Sequence, residues 1–230
     1  MVIAGSAEAK VNAMAFMRQT FLKRLCTTGN DAPGAACRPF DAAHNGTVLG
    51  EGGGLVVLEE LERARARGAR IYAEFAGFGA ACDPDAIELT AANVGSLDLA
   101  VRRALKDAGV SAADVSAIAA HGTGVPAEDA RESTAWRAAL GDRAATAPAF
   151  ALSGSIGALF AGAGGVLAAA AAMTLHDQSV PPTVNFVSAA DDCPLNLSPH
   201  DRPGPLEFVA AGAFTTGGQS AACVWRRYRP

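Results

Sequence analysis

The stretch Leu152–Gly165, LSGSIGALFAGAGG, sits inside a run from Ala144 to Leu175 that holds no charged residue and no histidine. The chain as a whole is charged at ordinary density, 18% of its 230 residues. Three readings compete: a membrane span, a core helix, or the wall of a site without its reactive groups. The run is long enough to cross a bilayer, but Pro148 interrupts it and its early part is rich in glycine and serine. The recognisably helical portion, 157–175, is built largely from alanine and glycine, which supply little drive for insertion. A helix that is small on every face is expected to lie buried between other layers of protein.

Working outward, half of the residues are hydrophobic, which suffices for a proper core in one large domain or two closely packed halves. The formal net charge is −4, which argues against an electrostatic nucleic-acid binder. The basic runs ERARARGAR (62–70) and RRYRP (226–230) are short, and the first reads as the solvated face of a helix. The five cysteines (Cys26, Cys37, Cys82, Cys193, Cys223) are odd in number and form no CxxC pair. Neither a disulfide framework nor a metal site is expected, and reduced cytoplasmic thiols are. The first ten residues lack a basic segment and a long apolar core, so no signal peptide is visible.

Periodicity predicts a strand at 1–5, a helix at 12–25, an irregular glycine-rich loop at 37–54, a strand at 54–61 and a helix at 58–68. A strand at 70–80, a loop at 82–90 and a helix at 94–109, stopped by Gly109, follow. Next come a strand at 115–122 ending near His121, a helix at 127–141, a strand at 149–153 and the neutral helix. The segments 206–214 and 221–228 pair as a closing hairpin around TTGGQS (215–220). The alternation implies an α/β layered fold with largely parallel pairing.

Three stretches together resemble one family. CRPFDAAHNGTVLGEGGG (37–54) and its continuation to Gly79 resemble the central PFD…GxVxGEG segment of β-ketoacyl synthases. AAHGTGVPAEDARE (119–132) resembles the segment carrying their first active-site histidine, and SVPPTVNF (179–186) with GAFTTGGQSAACVWRRY (212–228) resembles their loop and closing hairpin. The resemblance implies a thiolase-like layered αβαβα fold, here incomplete: residues 1–68 as the remainder of the N-terminal half and 69–230 as the C-terminal half. The loop that holds the nucleophilic cysteine falls outside the resemblance. Cys37 and Cys223 lie in matched segments at positions with no catalytic role in the family.

The family's chemistry joins an acyl group held on cysteine to a malonyl group held on an acyl carrier protein. It needs an activated thiolate and two histidines that stabilise the developing oxyanion. His121 falls at the first of those histidines; an oxyanion donor and a satisfied loop histidine remain the two readings. The family's K-S-x-x-G-H-x-x-G-A-A-G-G places Ser153 at its lysine and Ala158 at its second histidine. Thr216 then replaces the phenylalanine of GFGGTN and Ser220 its asparagine. Thr123 matches one pantetheine-contacting threonine and Val125 replaces the other, while Asp129 and Glu132 keep the D-x-x-E spacing as a structural acidic pair. No bound cofactor is expected, the phosphopantetheine arm of a carrier protein being the ligand the resemblance implies.

The wording GVPAEDARE (124–132) resembles the chain-length factors, catalytically silent ketosynthase-like subunits of type II polyketide synthases. Two functions follow from the resemblance: a non-catalytic subunit that pairs with a ketosynthase and shapes its acyl tunnel, or one half of a split ketosynthase whose cysteine comes from another chain. Either implies an obligate partner, because a bare half exposes sheet edges and an apolar layer.

Overall fold

The computed structural model describes residues 1–83 and 96–230. Two antiparallel strands, β1 (Val2–Glu8) and β2 (Gly52–Leu58), form a ribbon of their own. Between them lie α1 (Ala13–Phe21) and a long irregular segment; α2 (Leu61–Ala66) follows β2. The larger unit holds β3 (Glu74–Cys82), α3 (Leu97–Ala108), β4 (Ala117–Ala119), α4 (Pro126–Leu140), α5 (Arg143–Thr146) and β5 (Ala149–Phe150). It continues through α6 (Ser153–Ile156), α7 (Ala163–Asp177), the short pair β6 (Ser179–Val180) and β7 (Arg202–Pro203), and ends in β8 (Phe208–Phe214) and β9 (Gln219–Arg226).

The central sheet runs in the order β3-β9-β8-β4-β5. It is mixed rather than largely parallel: β4 is parallel to β5 and β8, whereas β9 is antiparallel to both β3 and β8. The reason is the closing hairpin, which reverses the chain without a crossover helix and so inserts an antiparallel strand into the sheet. One face of this sheet is covered by α3 and α4, where Leu97, Val101, Trp136, Ile118, Ala210 and Val224 form a buried core. The other face meets α7, whose Leu167, Ala171 and Leu175 pack on Phe150, Val209 and Trp225. Beyond α7 lies the β1–β2 ribbon, so the layers read helix, sheet, helix, sheet.

The neutral run is therefore a middle layer. Its helix begins later than its composition suggests, at Ala163 rather than near 157, because Gly157 (φ 72°) and Phe160 (φ 48°) adopt left-handed backbone that an α-helix cannot contain. Its glycines are required by proximity. A Cβ on Gly165 would overlap the Gly54 carbonyl, and one on Gly54 would overlap the Gly165 carbonyl, so helix and ribbon meet backbone to backbone. Ser6 accepts the Gly165 N–H at 2.9 Å through its hydroxyl oxygen, pinning the same junction. Among the described residues no helix is long and apolar enough to cross a membrane.

Other boundaries shift by a few residues. The three glycines 52–54 belong to β2 and not to the loop before it, β3 starts at Glu74 rather than 70, and β4 stops at Ala119, two residues before His121. Helix α3 ends as expected, with Gly109 in left-handed conformation at φ 67°. The expected loop at 82–90, apart from its first two residues, and the first two residues of the expected helix at 94–109 lie outside the described residues.

Candidate functional site

The site forms where β4 ends. Past Ala119 the chain turns through His121–Val125 and enters α4 at Pro126, a residue suited to a helix's first turn because it has no N–H to leave unpaired. Asp129 and Glu132 are three residues apart, so both carboxylates rise from one face of α4 and reach back over the turn that precedes it. Glu132 is fully buried and accepts the N–H groups of His121 (2.7 Å) and Gly122 (2.8 Å) and the indole N–H of Trp136 (3.1 Å). Burial pushes its carboxyl up to about 8, against the pull of those donors.

Asp129 accepts the N–H groups of Thr123 (2.8 Å) and Gly124 (3.2 Å) on one oxygen. Its other oxygen accepts the Phe40 N–H (2.8 Å) and lies 3.1 Å from His44 Nδ1. It thereby ties the 37–45 loop to the His121 turn. Asp41 extends the brace by accepting the N–H groups of Val187 (2.6 Å) and Ser188 (3.1 Å). The glycine-rich loop is irregular in backbone yet fixed by buried carboxylates.

His121, Thr123, Ser153 and Ala158 line one small cavity of about 20 Å³, with Val166 and Leu167 of α7 among its walls. That volume is roughly the space of one water and far below that of a thioester. Ser153 stands at the first position of α6 with its Oγ buried and unpartnered; the Nδ1 of His121 is likewise buried without a partner. The ring of His121 packs against Phe214 with centroids 4.8 Å apart. Burial, with the nearby Arg24 guanidinium adding to it, lowers its pKa to about 4, so the imidazole is neutral at neutral pH. Ala158 is held by backbone alone, donating to Val48 O (2.8 Å) and accepting from the Gly50 N–H (3.1 Å).

Thr216, Ser220 and Val125 stand apart from this cavity, and Thr123 lines it only with its hydroxyl turned away. Thr216 lies in the β8–β9 turn, half exposed. Ser220 is buried at the start of β9, its Oγ 2.7 Å from that of Ser96. The Thr123 hydroxyl is turned inward, accepting the Val125 N–H at 3.1 Å and lying 3.4 Å from Asp129. Val125 serves as the residue before the first turn of α4.

Three participants carried no warning in the sequence. Arg24 forms a 2.7 Å ion pair with Glu128, 104 positions away, and both are largely buried. Phe214 supplies the ring against His121. Cys37 is buried with its Sγ 3.8 Å from Thr123 O.

The thiols of Cys37, Cys193 and Cys223 are not poised as nucleophiles. Burial raises the pKa of Cys37 and Cys193, and raises Cys223 to about 11. A catalytic cysteine needs the opposite, a stabilised thiolate. Among the described residues no group of three or more histidines, cysteines or carboxylates is arranged to hold a metal.

A five-stranded mixed sheet with two helices on one face and a buried small-residue helix on the other, facing a second sheet, is the thiolase-like layered fold in partial form. Family comparison bears directly on that arrangement. Residues 72–187 match the β-ketoacyl synthase C-terminal domain and residues 1–64 the N-terminal domain. The chain belongs to the β-ketoacyl synthase family.

Among curated relatives, the 3-oxoacyl-[acyl-carrier-protein] synthase 2 of Rhizobium meliloti is 38% identical over 229 residues, which are 99% of this chain and 54% of that protein. Among solved structures, the ishigamide ketosynthase/chain length factor superposes with a TM-score of 0.88 at 34% identity, covering 99% of this chain and 54% of that one. A type II polyketide synthase acyl-carrier protein in complex with its ketosynthase bound to the hexaketide gives 0.89 at 28% identity, over 99% and 56%. The chain thus spans about half the length of the curated relatives it matches.

Proposed function

We propose that this chain is a non-catalytic, chain-length-factor-like subunit that pairs with a ketosynthase in type II polyketide or fatty-acid synthesis and shapes or stabilises its acyl tunnel. One observation carries the reading: the cavity beside His121 is walled by Ser153 and Ala158, where the chemistry needs a lysine and a second imidazole. A single neutral histidine beside a serine hydroxyl, in a space of about 20 Å³, lacks the second imidazole that the family's oxyanion chemistry uses. The buried, pKa-raised thiols support the same conclusion. Under this reading 1–68 completes a first half-domain and 69–230 is the second, the protein works in the cytoplasm, and a carrier protein's phosphopantetheine arm reaches the partner's site.

The test is to express the chain with a full-length, cysteine-bearing ketosynthase and a malonyl-loaded carrier protein, then measure complex formation, decarboxylation and product length. The chain alone is expected to decarboxylate nothing above background, and to stay inactive with Ser153→Lys and Ala158→His combined. The complex is expected to give a product distribution that the ketosynthase alone does not. Decarboxylation by the chain alone, lost in His121→Ala, would overturn the proposal.

A second reading is favoured by the uncovered ribbon: the chain is the C-terminal half of a split ketosynthase, and His121 joins a composite acyl-transfer or decarboxylation site with a cysteine from another polypeptide. Here His121→Ala in the assembled pair should cost about 10²–10³ in rate, the usual loss for one oxyanion donor.

A further inference from the structure

The central sheet has one long rim strand. β3, EFAGFGAAC (74–82), pairs with β9 on one side and with no strand on the other among the described residues. The opposite rim strand, β5, has only two residues. An open edge of nine residues offers a row of backbone N–H and C=O groups to any strand that meets it.

Helix α3 lies directly over this strand. A Cβ on Gly77 would overlap the Ala104 carbonyl, and one on Gly79 would overlap the Ala100 carbonyl, so helix and strand meet backbone to backbone. That close approach sets the reach of Arg103 and Asp107, which are four residues apart and share one side of α3. Asp107 accepts the Phe78 N–H on a carboxylate oxygen at 2.9 Å, and Arg103 donates from Nη1 to the Ala80 carbonyl at 2.6 Å. Both residues are exposed. Water would satisfy the same two backbone groups, so what the side chains add is occupancy of the edge.

The two occupied groups are a matched pair. Phe78 and Ala80 are two residues apart, so their backbone groups face the same side of the strand, away from β9. If two β3 strands met antiparallel about a twofold axis at Gly79, Phe78 of each would lie opposite Ala80 of the other. In a hydrogen-bonded antiparallel pair the facing residues exchange N–H···O bonds. The Phe78 N–H would then donate to the Ala80 carbonyl of the second copy, and symmetry would make that bond twice. Asp107 holds that donor and Arg103 holds that acceptor.

We infer that Arg103 and Asp107 guard the β3 edge, and that the strand they fend off is β3 of a second copy of this chain. Gly77 and Gly79 belong to the same device, because a side chain at either would lift α3 and withdraw both guards. The inference stands apart from both readings of function above.

The experiment follows self-association of the full 230-residue chain by analytical ultracentrifugation over a concentration series. Arg103→Ala/Asp107→Ala is expected to associate at least tenfold more tightly than the native chain. Asp98→Ala/Lys106→Ala, the same change of charge on the same helix, should match the native chain. Ala80→Pro added to the unguarded chain removes an N–H on the open edge, a place where an edge strand tolerates proline, and should restore native behaviour. Association through the β1–β2 ribbon is common to all four chains and drops out of the comparison. Amide exchange locates the contact: in the unguarded chain the Phe78 amide should exchange at least tenfold more slowly at high concentration than at low.

A folded, unguarded chain that associates no more than the native one overturns the inference. So does a rise in association that Ala80→Pro leaves in place, since the contact then lies elsewhere. Arg103→Ala and Asp107→Ala made singly each keep one bond of the guard and should each give part of the rise. Should the double variant misfold, these two decide, and native behaviour in both overturns the inference.

Discussion

Two antiparallel pairs lie on opposite sides of α7, and they differ mainly in their neighbours. The β1–β2 ribbon and the β8–β9 pair each run over seven residue pairs, and their leading strands read alike, VIAGSAE and FVAAGAF. In β8–β9 the middle of the pair is covered on both faces, and Val209, Ala211 and Val224 are all but inaccessible. In the ribbon the face away from α7 is open, with Ile3 68%, Leu55 68% and Val57 59% exposed. Strands of near-equal composition are core in one place and surface in the other. Burial follows the flanking strands and covering helices, and strand propensity alone does not decide it.

The comparison assigns stability unequally, and the largest effect should come from the five-stranded unit. Trp136 is fully buried on α4, donates to Glu132 and packs over Gly212, where an added Cβ would meet its ring at 3.0 Å. Trp136→Ala should cost about 3–5 kcal/mol, read as a fall in the urea midpoint of the whole chain. A loss below about 1 kcal/mol would show that this core does not hold the fold. Gly165→Val should cost less, about 1–3 kcal/mol, and act locally, since its new side chain meets the Gly54 backbone of β2. Hydrogen exchange in β1 and β2 should then speed up at least tenfold while β8 and β9 keep their protection. Equal acceleration in both pairs would break the proposed division.

The same asymmetry explains what could be read from the sequence. The layered fold was legible because several of its elements announce themselves: Gly109 stops α3, the neutral run marks a buried helix, and TTGGQS holds the turn between β8 and β9, its last two residues opening β9. The acidic pair was legible through the resemblance, whose D-x-x-E spacing Asp129 and Glu132 keep, and that spacing puts both on one face of α4. The break at Gly157 and Phe160 was not, since left-handed backbone at a phenylalanine has no local signature. Nor were Arg24 and Phe214, whose places beside His121 come from tertiary contacts across long stretches of chain. Thr216 and Ser220 were assigned by motif position, and motif position carries no distance to the cavity.

A smaller effect lies in pH, and the two buried titrating groups act with opposite sign. His121 has its pKa lowered from 6.5 to about 4, so the fold binds fewer protons than the unfolded chain and this contribution is lost as pH falls from 6.5 to 4. Glu132 has its pKa raised from 4.5 to about 8, so its contribution is present below 4.5 and is lost as pH rises to 8. Between 4.5 and 6.5 the two offset each other; from 6.5 to 8 Glu132 acts alone and stability should drop by about 1–2 kcal/mol. In His121→Phe, which keeps a ring against Phe214, the decline should begin near pH 4.5. Urea midpoints at pH 5, 6, 7 and 8 for both proteins decide the matter. A midpoint for the native chain that stays level from pH 7 to 8 would mean that Glu132 is ionised within the fold.

The smallest predicted change, at Val57, belongs to the sharpest test of the comparison, because that test applies one substitution at two equivalent places. Val57 in β2 and Val224 in β9 both point away from α7, and the first is 59% exposed whereas the second is 1% exposed. A threonine is nearly isosteric with valine, so replacement changes little except that a hydroxyl must be hydrated or hydrogen-bonded. At Val224 the hydroxyl enters the core between β9 and α3, where burial without a partner costs about 1–3 kcal/mol. At Val57 it meets solvent, and the change should stay within about 0.5 kcal/mol of zero. Denaturation of the two variants of the chain alone gives the difference directly. Were Val57→Thr to cost as much as Val224→Thr, the outer face of the ribbon would already be covered in the free protein, and the cover would have to be another copy of the chain, visible as a midpoint that rises with protein concentration. A near-zero cost at Val57 that grows only when a half-length partner is added would place the missing layer on that face.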